Sequence, residues 1–503
     1  MIPMSLARIA EIVGGTLHDV PDPDAVVSGT VEFDSRKIGP GGLFLALPGA
    51  RVDGHEHAAA AVAAGAVAVL AARPVGVPAI VVTPLPPAET NAMALEHDTD
   101  GSGAAVLAAL AKLARASTDE LANADADGRG LTVVGVTGSS GKTSTKDLLA
   151  AVLSPLGSVV APPGSFNNEL GHPWTALRAD AGTDYLVLEL SARGVGHIAA
   201  LAETVLPRIG VILNVGTAHL GEFGSREAIA LAKGELAEAL PPADRGGVAV
   251  LNADDPLVAA MASRTRARVV LVGQSGTADV RAVNVALDEE ARAAFTLVTA
   301  DGSVDVRLGV HGEHQVGNAL AAAAVALECG ASLEQVATAL TQARAVSAKR
   351  MDVRTRADGV TVINDSYNAN PDSMRAALKA LVTMSRSGAG APRRTWAVLG
   401  EMAELGPESV IEHDGIGRLV VRLDVTRLIV VGTDRPLRGM HQGAVMEGSW
   451  GEESMLVPDA EAALAVLRAE VSGDDIVLVK ASQSVGLWTV ADALLAEDLE
   501  GDR

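Results

Sequence analysis

Residues 133–149 read VVGVTGSSGKTSTKDLL. A β-branched run breaks into glycine, serine, lysine and threonine, and a helical pattern starts at once. That order fits the carboxyl end of a parallel strand, where a glycine-rich turn opens the N-terminus of a helix. Backbone N–H groups in such a turn, together with the helix dipole, attract phosphate. Lys142 would then reach the β- and γ-phosphates of a nucleotide, and the Thr143 hydroxyl would bind Mg²⁺. The usual spacing, G-x-x-x-x-G-K-[ST], asks for glycine where this chain has Val136, so TGSSGKTS is a variant with glycines at 138 and 141.

The same alternation continues from residue 131 onward. The apolar runs LTVVGV, YLVLEL, RIGVILNV, GVAVLN and RVVLVG are separated by helical stretches, which predicts a mainly parallel sheet covered on both faces by helices. In HQVGNALAAAAVALECG, Val316, Ala319, Leu320, Ala323 and Leu327 share one helical face, and Gly330 can cap it. A further unit begins near 346, with the runs GVTVIND, TWAVLGE, RLIVVG and DIVLVKAS. Ligands of open α/β sheets bind beyond the carboxyl ends of strands, so DSYNANP, GEMAELG and KAS should face one crevice. Residues 1 to about 84 read as a smaller α/β unit. PLPPAETNAMALEHDTDGSG (84–103) reads as a mobile loop or insertion, AAVLAALAKLARAS as a helix, and TDELANADADGRG (118–130) as an interdomain linker. No repeat of 20–50 residues is present. At roughly 150 residues per domain, 503 residues allow about three. The expectation is an α/β chain of three domains: 1–125, 126–345 and 346–503.

Composition narrows the partners. The formal net charge of −22 disfavours nucleic acid and anionic membrane, which need basic surface. Aromatics are 2% of the chain, so the cores must be built from small aliphatic side chains. The one cysteine, Cys329, excludes an internal disulfide and fits a reducing compartment; beside an alanine-rich helix it reads as a small buried residue. The N-terminus MIPMSLARIAEIVGG lacks the pattern of a signal peptide, and no apolar run reaches the length of a membrane span. A soluble cytoplasmic protein is expected.

Several polar residues stand at strand ends or on helices near the phosphate loop: Glu189 ends YLVLEL, His219 lies in NVGTAHLGEFGS, and Lys233 lies in ALAKGELAE. Singly, each reads as an ordinary hydrogen-bonded or solvated side chain. Taken in order, however, TGSSGKTS, SFNNELGHP, AHLGEFGS, AKGEL, LNADDP and GEHQVGNALAAAAVA resemble the motifs of the Mur ligases, the ATP-dependent amide-forming enzymes of peptidoglycan precursor synthesis. The resemblance covers nearly the whole chain. NDSYNANPDSM and LGEMAELG are similar to the branch that joins UDP-MurNAc-tripeptide to D-alanyl-D-alanine. The DNPR signature of the branch that adds the third, diamino residue is absent.

The resemblance implies a P-loop central domain, a Rossmann-like C-terminal domain and a small UDP-binding N-terminal domain. It implies that Gly138, Ser139, Ser140, Gly141, Lys142, Thr143 and Ser144 cradle ATP, with Asn252, Asn318, Arg350 and Asp365 also in contact with it. Thr143, Glu189, His219 and Lys233 would hold Mg²⁺, Lys233 as a carbamate; that modification turns an ammonium into an oxygen donor suited to a hard cation. Lys142, Lys233, His219 and Arg350 are the catalytic candidates. Arg350 would help neutralise charge on the transferring phosphoryl. EFDSRKIGPGGLFLALPGARVDGHEH resembles the family's UDP-binding elements, making Asp34, Ser35, Arg36, Phe44 and His55 candidate contacts. Asn167 and Asn168, with Tyr367, Asn368, Asn370 and Pro371, are candidates for the remaining substrate contacts. Read alone, DSRKIGPGG is a plain turn, and NANP a turn defined by asparagine and proline.

The implied chemistry is an acyl phosphate made from the tripeptide carboxylate and ATP, then attacked by the amine of D-Ala-D-Ala. A monomer is expected. The chain departs from the family at Ser191, where glycine is usual, at Ala481 and Gln483, where K-G-S-R is common, and at Trp488, near a frequent acid. Two alternatives stay open on the residues: another amino-acid ligase of the same superfamily, and a nucleotide-binding regulator without useful hydrolysis. The UDP-type N-terminal motifs weigh against the first. The complete set Lys142, Thr143, Glu189, His219 and Lys233 weighs against the second.

Overall fold

The apolar runs of the central region assemble into a nine-stranded sheet. Its spatial order is Gly302–His311, Arg292–Thr299, Val280–Leu287, Arg268–Gly273, Val248–Asn252, Ile209–Ile212, Thr132–Thr137, Tyr185–Glu189 and Val159–Val160. Pairing is parallel from Val159–Val160 as far as Val280–Leu287, and the last three strands form an antiparallel meander. The structure, a computed structural model, describes residues 1–49, 52–86, 95–123, 130–218, 220–386, 392–448 and 453–496, and the backbone of 497–500.

The expected parallel runs are all present. The meander was not foreseen because its strands alternate buried and exposed residues. They are half-buried, so they lack the continuous apolar signature of a strand covered on both faces. The helix Gln315–Glu328 is buried almost throughout and packs on the helix Lys142–Leu153 that follows the phosphate loop. Its small alanines let the two helices approach closely, which is how a core poor in aromatics closes. Gly330, at φ 93, follows its end, and Cys329 is half-buried there.

The C-terminal sheet has six strands in the order Asp352–Thr355, Thr361–Asn364, Ile476–Lys480, Thr395–Leu399, Arg427–Val431 and Ser454–Val457; the first is antiparallel to its neighbour. The strand order switches at Ile476–Lys480, and the site residues lie beyond that point. At the N-terminal end, a five-stranded sheet runs Thr16–His18, Ala79–Val81, Ala66–Ala71, Gly42–Leu45, Val31–Glu32.

One expectation needs correction. Residues 118–123 are not linker: the helix Ser102–Asn123 runs through them, and Thr118 bonds back to the Ala114 carbonyl at 2.9 Å. Its Leu110, Leu113 and Leu121 share one apolar core with Leu131, Val133 and Leu186 of the central region. The polar stretch that looked turn-rich is thus one exposed face of a helix that ties two units together. Residues 124–129 lie outside the described residues. The acidic stretch 84–103 also carries a structural task. Asp98 accepts from the backbone N–H groups of Gly103 and Ala104 (3.1 and 2.8 Å), and Asp100 from Ser102 (3.0 Å). Those carboxylates satisfy orphan donors at the positive end of the long helix. Residues 87–94 lie outside the described residues.

Candidate active site

The phosphate loop sits where its strand, Thr132–Thr137, stops. Val136 belongs to that buried strand, which is why the loop tolerates valine there: the turn begins only at Gly138. Gly141 has φ 83 and caps the helix Lys142–Leu153; a Cβ at Gly141 would stand 2.6 Å from Asn318 Oδ1. Asn214, which sequence reasoning missed, braces the loop: its Oδ1 accepts from Ser140 N–H at 3.0 Å, and its Nδ2 donates to the Ser140 carbonyl at 3.1 Å. Ser139 Oγ accepts from Gly216 N–H at 2.9 Å. The only hint of Asn214 was its place at the end of RIGVILNV.

Strand register delivers the acid. Glu189 pairs with Val136, so its carboxylate emerges beside the loop. Glu189 is fully buried; its Oε2 accepts from Thr143 Oγ1 (3.2 Å), Ser165 Oγ (3.3 Å) and Asn167 Nδ2 (3.3 Å). Its Oε1 is buried with no hydrogen-bond partner among the described residues. A fully buried carboxylate oxygen without a donor costs about 1–3 kcal/mol, and a hard cation would relieve that cost. Lys142 donates to the Gly138 carbonyl at 2.7 Å; burial, opposed by Glu189, pulls its pKa down to about 8. Lys233 is buried on the helix Arg226–Ala239, and its pKa is held well below the usual lysine range by burial and then by the Lys142 charge. Its near neighbour Glu235 caps another helix, accepting from Gly196 and Ala199 N–H groups. His219 lies outside the described residues. Among the described residues, no three His, Cys, Asp or Glu side chains form a ready metal cage.

Above this floor lies a cavity of 1260 Å³ walled by all three units. Of the expected residues, the loop from Ser139 to Ser144 lines it, with Asn167, Asn168, Asn318, Arg350, Asp365, Tyr367, Asn368 and Asn370. Arg350 Nη2 donates to Thr143 Oγ1 at 3.3 Å, and its guanidinium lies 4.2 Å from the centre of the Tyr367 ring. Asp365 follows one strand, Lys480 ends its parallel neighbour, and the two meet at 2.6 Å. Asn370 caps the helix Pro371–Ser385 with Ser373 in a reciprocal box, and Pro371 takes its first turn, so the turn reading of NANP holds alongside the cavity position of Asn370. Gly138, Glu189 and Lys233 lie behind the cavity wall.

Seven other expected residues, Asp34, Ser35, Arg36, Phe44, His55, Asn252 and Pro371, do not line the cavity. Phe44 packs in the N-terminal core. His55 is buried between Asp53 (2.7 Å) and Ala72 N–H (3.1 Å). Asn252 donates to the Leu213 carbonyl at 2.8 Å and fastens the strand that carries Asn214. Arg36 is 87% exposed and pairs with Asp34 at 2.8 Å. That pair pulls the Asp34 pKa down to about 2. Asp34 and Ser35 do follow Phe33, which lines the cavity and meets Trp174 edge-on at 5.7 Å. Phe33, Phe166 and Trp174 gather three of the chain's eleven aromatics at the junction of two units, and Trp174 Nε1 reaches the Val31 carbonyl at 2.8 Å.

Three of the departures have local partners, and the fourth, Gln483, lines the cavity. Ser191 donates to the Asn167 carbonyl through both its N–H (3.0 Å) and its hydroxyl (2.9 Å), pinning the loop that carries Asn167. Ala481 is buried against Gly400, and Trp488 stacks under Lys349 at 3.8 Å.

Three family models match the chain in series: Mur ligase family, catalytic domain, over 29–118; Mur ligase middle domain, over 136–326; and Mur ligase, glutamate ligase domain, over 349–483. The UDP-N-acetylmuramoyl-tripeptide--D-alanyl-D-alanine ligase of Mycobacterium tuberculosis is 64% identical, over 100% of this chain and 99% of that protein. The enzyme of the same name from Escherichia coli is 33% identical over 98% of this chain and 99% of that protein. Among solved structures, MurF from Acinetobacter baumannii superposes with a TM-score of 0.80 at 30% identity, covering 98% of this chain and 99% of that one. MurF from Thermotoga maritima in complex with ADP gives 0.74 at 28%, covering 95% and 99%. Matched in series by three models of the family and from end to end by these relatives, the chain belongs to the Mur ligase family.

Proposed function

We infer that this protein joins D-alanyl-D-alanine to UDP-MurNAc-tripeptide at the expense of ATP, making the UDP-MurNAc-pentapeptide precursor of peptidoglycan. The observation that carries the reading is the buried pair of Thr143 and Glu189 beside Lys142, with Arg350 reaching Thr143 from the C-terminal unit at the floor of a cavity shared by all three units. The N-terminal unit, 1–125, is assigned the UDP moiety; Asp34, Ser35 and Arg36, which lie outside the cavity lining but follow its Phe33, are the contacts proposed for it. The central unit, 126–345, is assigned ATP. The C-terminal unit, 346–503, is assigned D-Ala-D-Ala through Tyr367, Asn368 and Asn370.

Mg²⁺ fits this site: Glu189 Oε1 is an orphaned buried acceptor, and the Thr143 hydroxyl stands beside the same carboxylate. Thr143, Glu189, His219 and carbamylated Lys233 would hold it, and it would supply charge neutralisation for phosphate oxygens. Burial and the Lys142 charge favour an uncharged Lys233 amine, the form that adds CO₂.

The tripeptide carboxylate attacks the γ-phosphorus of ATP, giving an acyl phosphate and ADP. The amine of D-Ala-D-Ala then attacks the acyl carbon, and phosphate leaves. Lys142 and Arg350 hold phosphate oxygens and offset the charge that develops on them. The walls exclude water from the acyl phosphate. The proposed reading is of a cytoplasmic monomer; among the described residues, no helix is long and apolar enough to cross a membrane.

Tripeptide labelled with ¹⁸O in its terminal carboxylate tests the sequence of steps. Transfer of one ¹⁸O to the released phosphate is expected; unlabelled phosphate beside full product contradicts the acyl phosphate.

A further inference from the structure

Arg350 enters the site from a linker whose backbone is held in an unusual shape. Its neighbours on both sides, Lys349 and Met351, take the left-handed conformation, at φ 61 and φ 49. Non-glycine residues adopt that region only when their surroundings dictate it. The surroundings here are specific. On the C-terminal side, the Lys349 carbonyl accepts from Tyr367 N–H (3.2 Å), the Lys349 ammonium lies over Trp488, and Met351 N–H donates to Asp365 Oδ1 (3.1 Å).

On the central side the linker is fastened to the phosphate-loop helix itself. Ser347 N–H donates to Asp147 Oδ2 at 3.0 Å, and Ser347 Oγ donates to Asp147 Oδ1 at 3.1 Å. Lys146 is buried; its Nζ contacts Ser347 Oγ (3.1 Å), the Pro162 carbonyl (2.9 Å) and Asp147 Oδ1 (2.5 Å). Thr143, Lys146 and Asp147 sit at i, i+3 and i+4 of one helix, so they are neighbours on its surface. The clamp on Ser347 therefore fixes the linker one helical turn from Thr143, and three residues later Arg350 folds back to the Thr143 hydroxyl.

We propose that Lys146 and Asp147 are positioning residues, which act by clamping Ser347 so that Arg350 stands at Thr143 when the C-terminal unit is docked. Lys146 and Asp147 lie one helical turn beyond Thr143, outside the cavity lining, and spend their polar groups on Ser347 and the Pro162 carbonyl, so they have no direct part in the chemistry. Their consequence is geometric: they couple the position of the C-terminal unit to the presence of its arginine at the phosphate site. The proposal rests on the reading of Arg350 given above, in which its guanidinium offsets phosphoryl charge.

The test is a mutant cycle. S347A removes one hydroxyl and leaves Lys146 two partners; D147N weakens the clamp further. Each is measured alone and combined with R350A, following pentapeptide formation, with ADP binding measured by titration. Action through Arg350 predicts that D147N lowers kcat by about tenfold, and S347A by less, while ADP affinity stays within about twofold; in the R350A background either change should add less than about twofold. S347T should recover more activity than S347A. Equal losses with and without Arg350, or full kcat in both D147N and S347A, would overturn the proposal. The wild-type control separates the two readings. An inactive wild type sinks the assigned reaction; the clamp is then judged by amide exchange at Ser347, where unchanged protection in D147N and S347A overturns it.

Discussion

Lys142 and His413 illustrate what single side chains decide. Lys142 is the cation nearest the expected phosphates, so K142M should lower kcat/KM on the order of 10³-fold or more, equivalent to about 4 kcal/mol of transition-state stabilisation. Steady-state kinetics with all three substrates would show it, and a loss below tenfold would remove Lys142 from its assigned role. His413 makes a pH prediction. Its Nδ1 donates to the Ser409 carbonyl at 2.6 Å, and its Nε2 accepts from Met402 N–H at 3.0 Å, an assignment that follows from the two partners. Burial holds its pKa below the ordinary histidine range, against the Ser409 carbonyl. The folded state keeps the neutral ring, whereas the unfolded chain takes up a proton as pH falls below about 6.5. The contribution is therefore complete above that pH and is lost as pH drops below it. Thermal melts of wild type and H413Q should show the wild type losing more Tm between pH 7.5 and 5.5. Parallel losses would contradict the assignment. The loop at stake, Met402 to Glu404, carries two cavity residues, Ala403 and Glu404.

Among the elements, the strand–turn–helix at 132–153 is the one on which the site depends. Gly141 combines a left-handed φ with a close approach to Asn318. An alanine there strains the backbone by about 1–2 kcal/mol and pushes against the Asn318 amide. G141A should weaken ADP binding by about tenfold or more, by titration, while the fold survives by circular dichroism. Unchanged ADP affinity would mean that the turn is not the phosphate cradle. This element was legible in the sequence because its signals are local: β-branched residues, glycines at fixed offsets, then helical spacing. Glu189 was legible only as a strand end, since its pairing with Val136 is set by sheet register. Asn214, Lys146 and the Asn318–Gly141 contact were not legible, because each depends on residues 74 to 201 positions away that the topology brings together. Phe44 and His55 show the converse: a motif records which residues occur, and their burial in the N-terminal unit was not legible from it.

At the scale of the molecule, the C-terminal unit is docked on the central one across the cavity. Arg193 pairs with Glu404 at 2.8 Å, Thr217 N–H donates to Asp372 Oδ2 at 3.3 Å, and a Cβ at Gly221 would stand 2.7 Å from Gly406 N. These contacts are polar and small, which suits an interface that opens and closes. Closure on the substrates predicts a smaller radius of gyration with a non-hydrolysable ATP analogue, UDP-MurNAc-tripeptide and D-Ala-D-Ala than without them. G221V should blunt that change and lower kcat while leaving ADP binding intact. Identical small-angle scattering with and without ligands would contradict closure. The three α/β units were foreseen from the alternation of apolar runs; their docking was not, because glycine-to-glycine contacts and single ion pairs leave no periodic trace in a sequence. The central claim remains the reaction. Purified protein, ATP, Mg²⁺, UDP-MurNAc-tripeptide and D-Ala-D-Ala should yield a product of pentapeptide mass with phosphate in equal amount, and omission of any one substrate should abolish it. Phosphate release without that product, or product independent of D-Ala-D-Ala, would contradict the account.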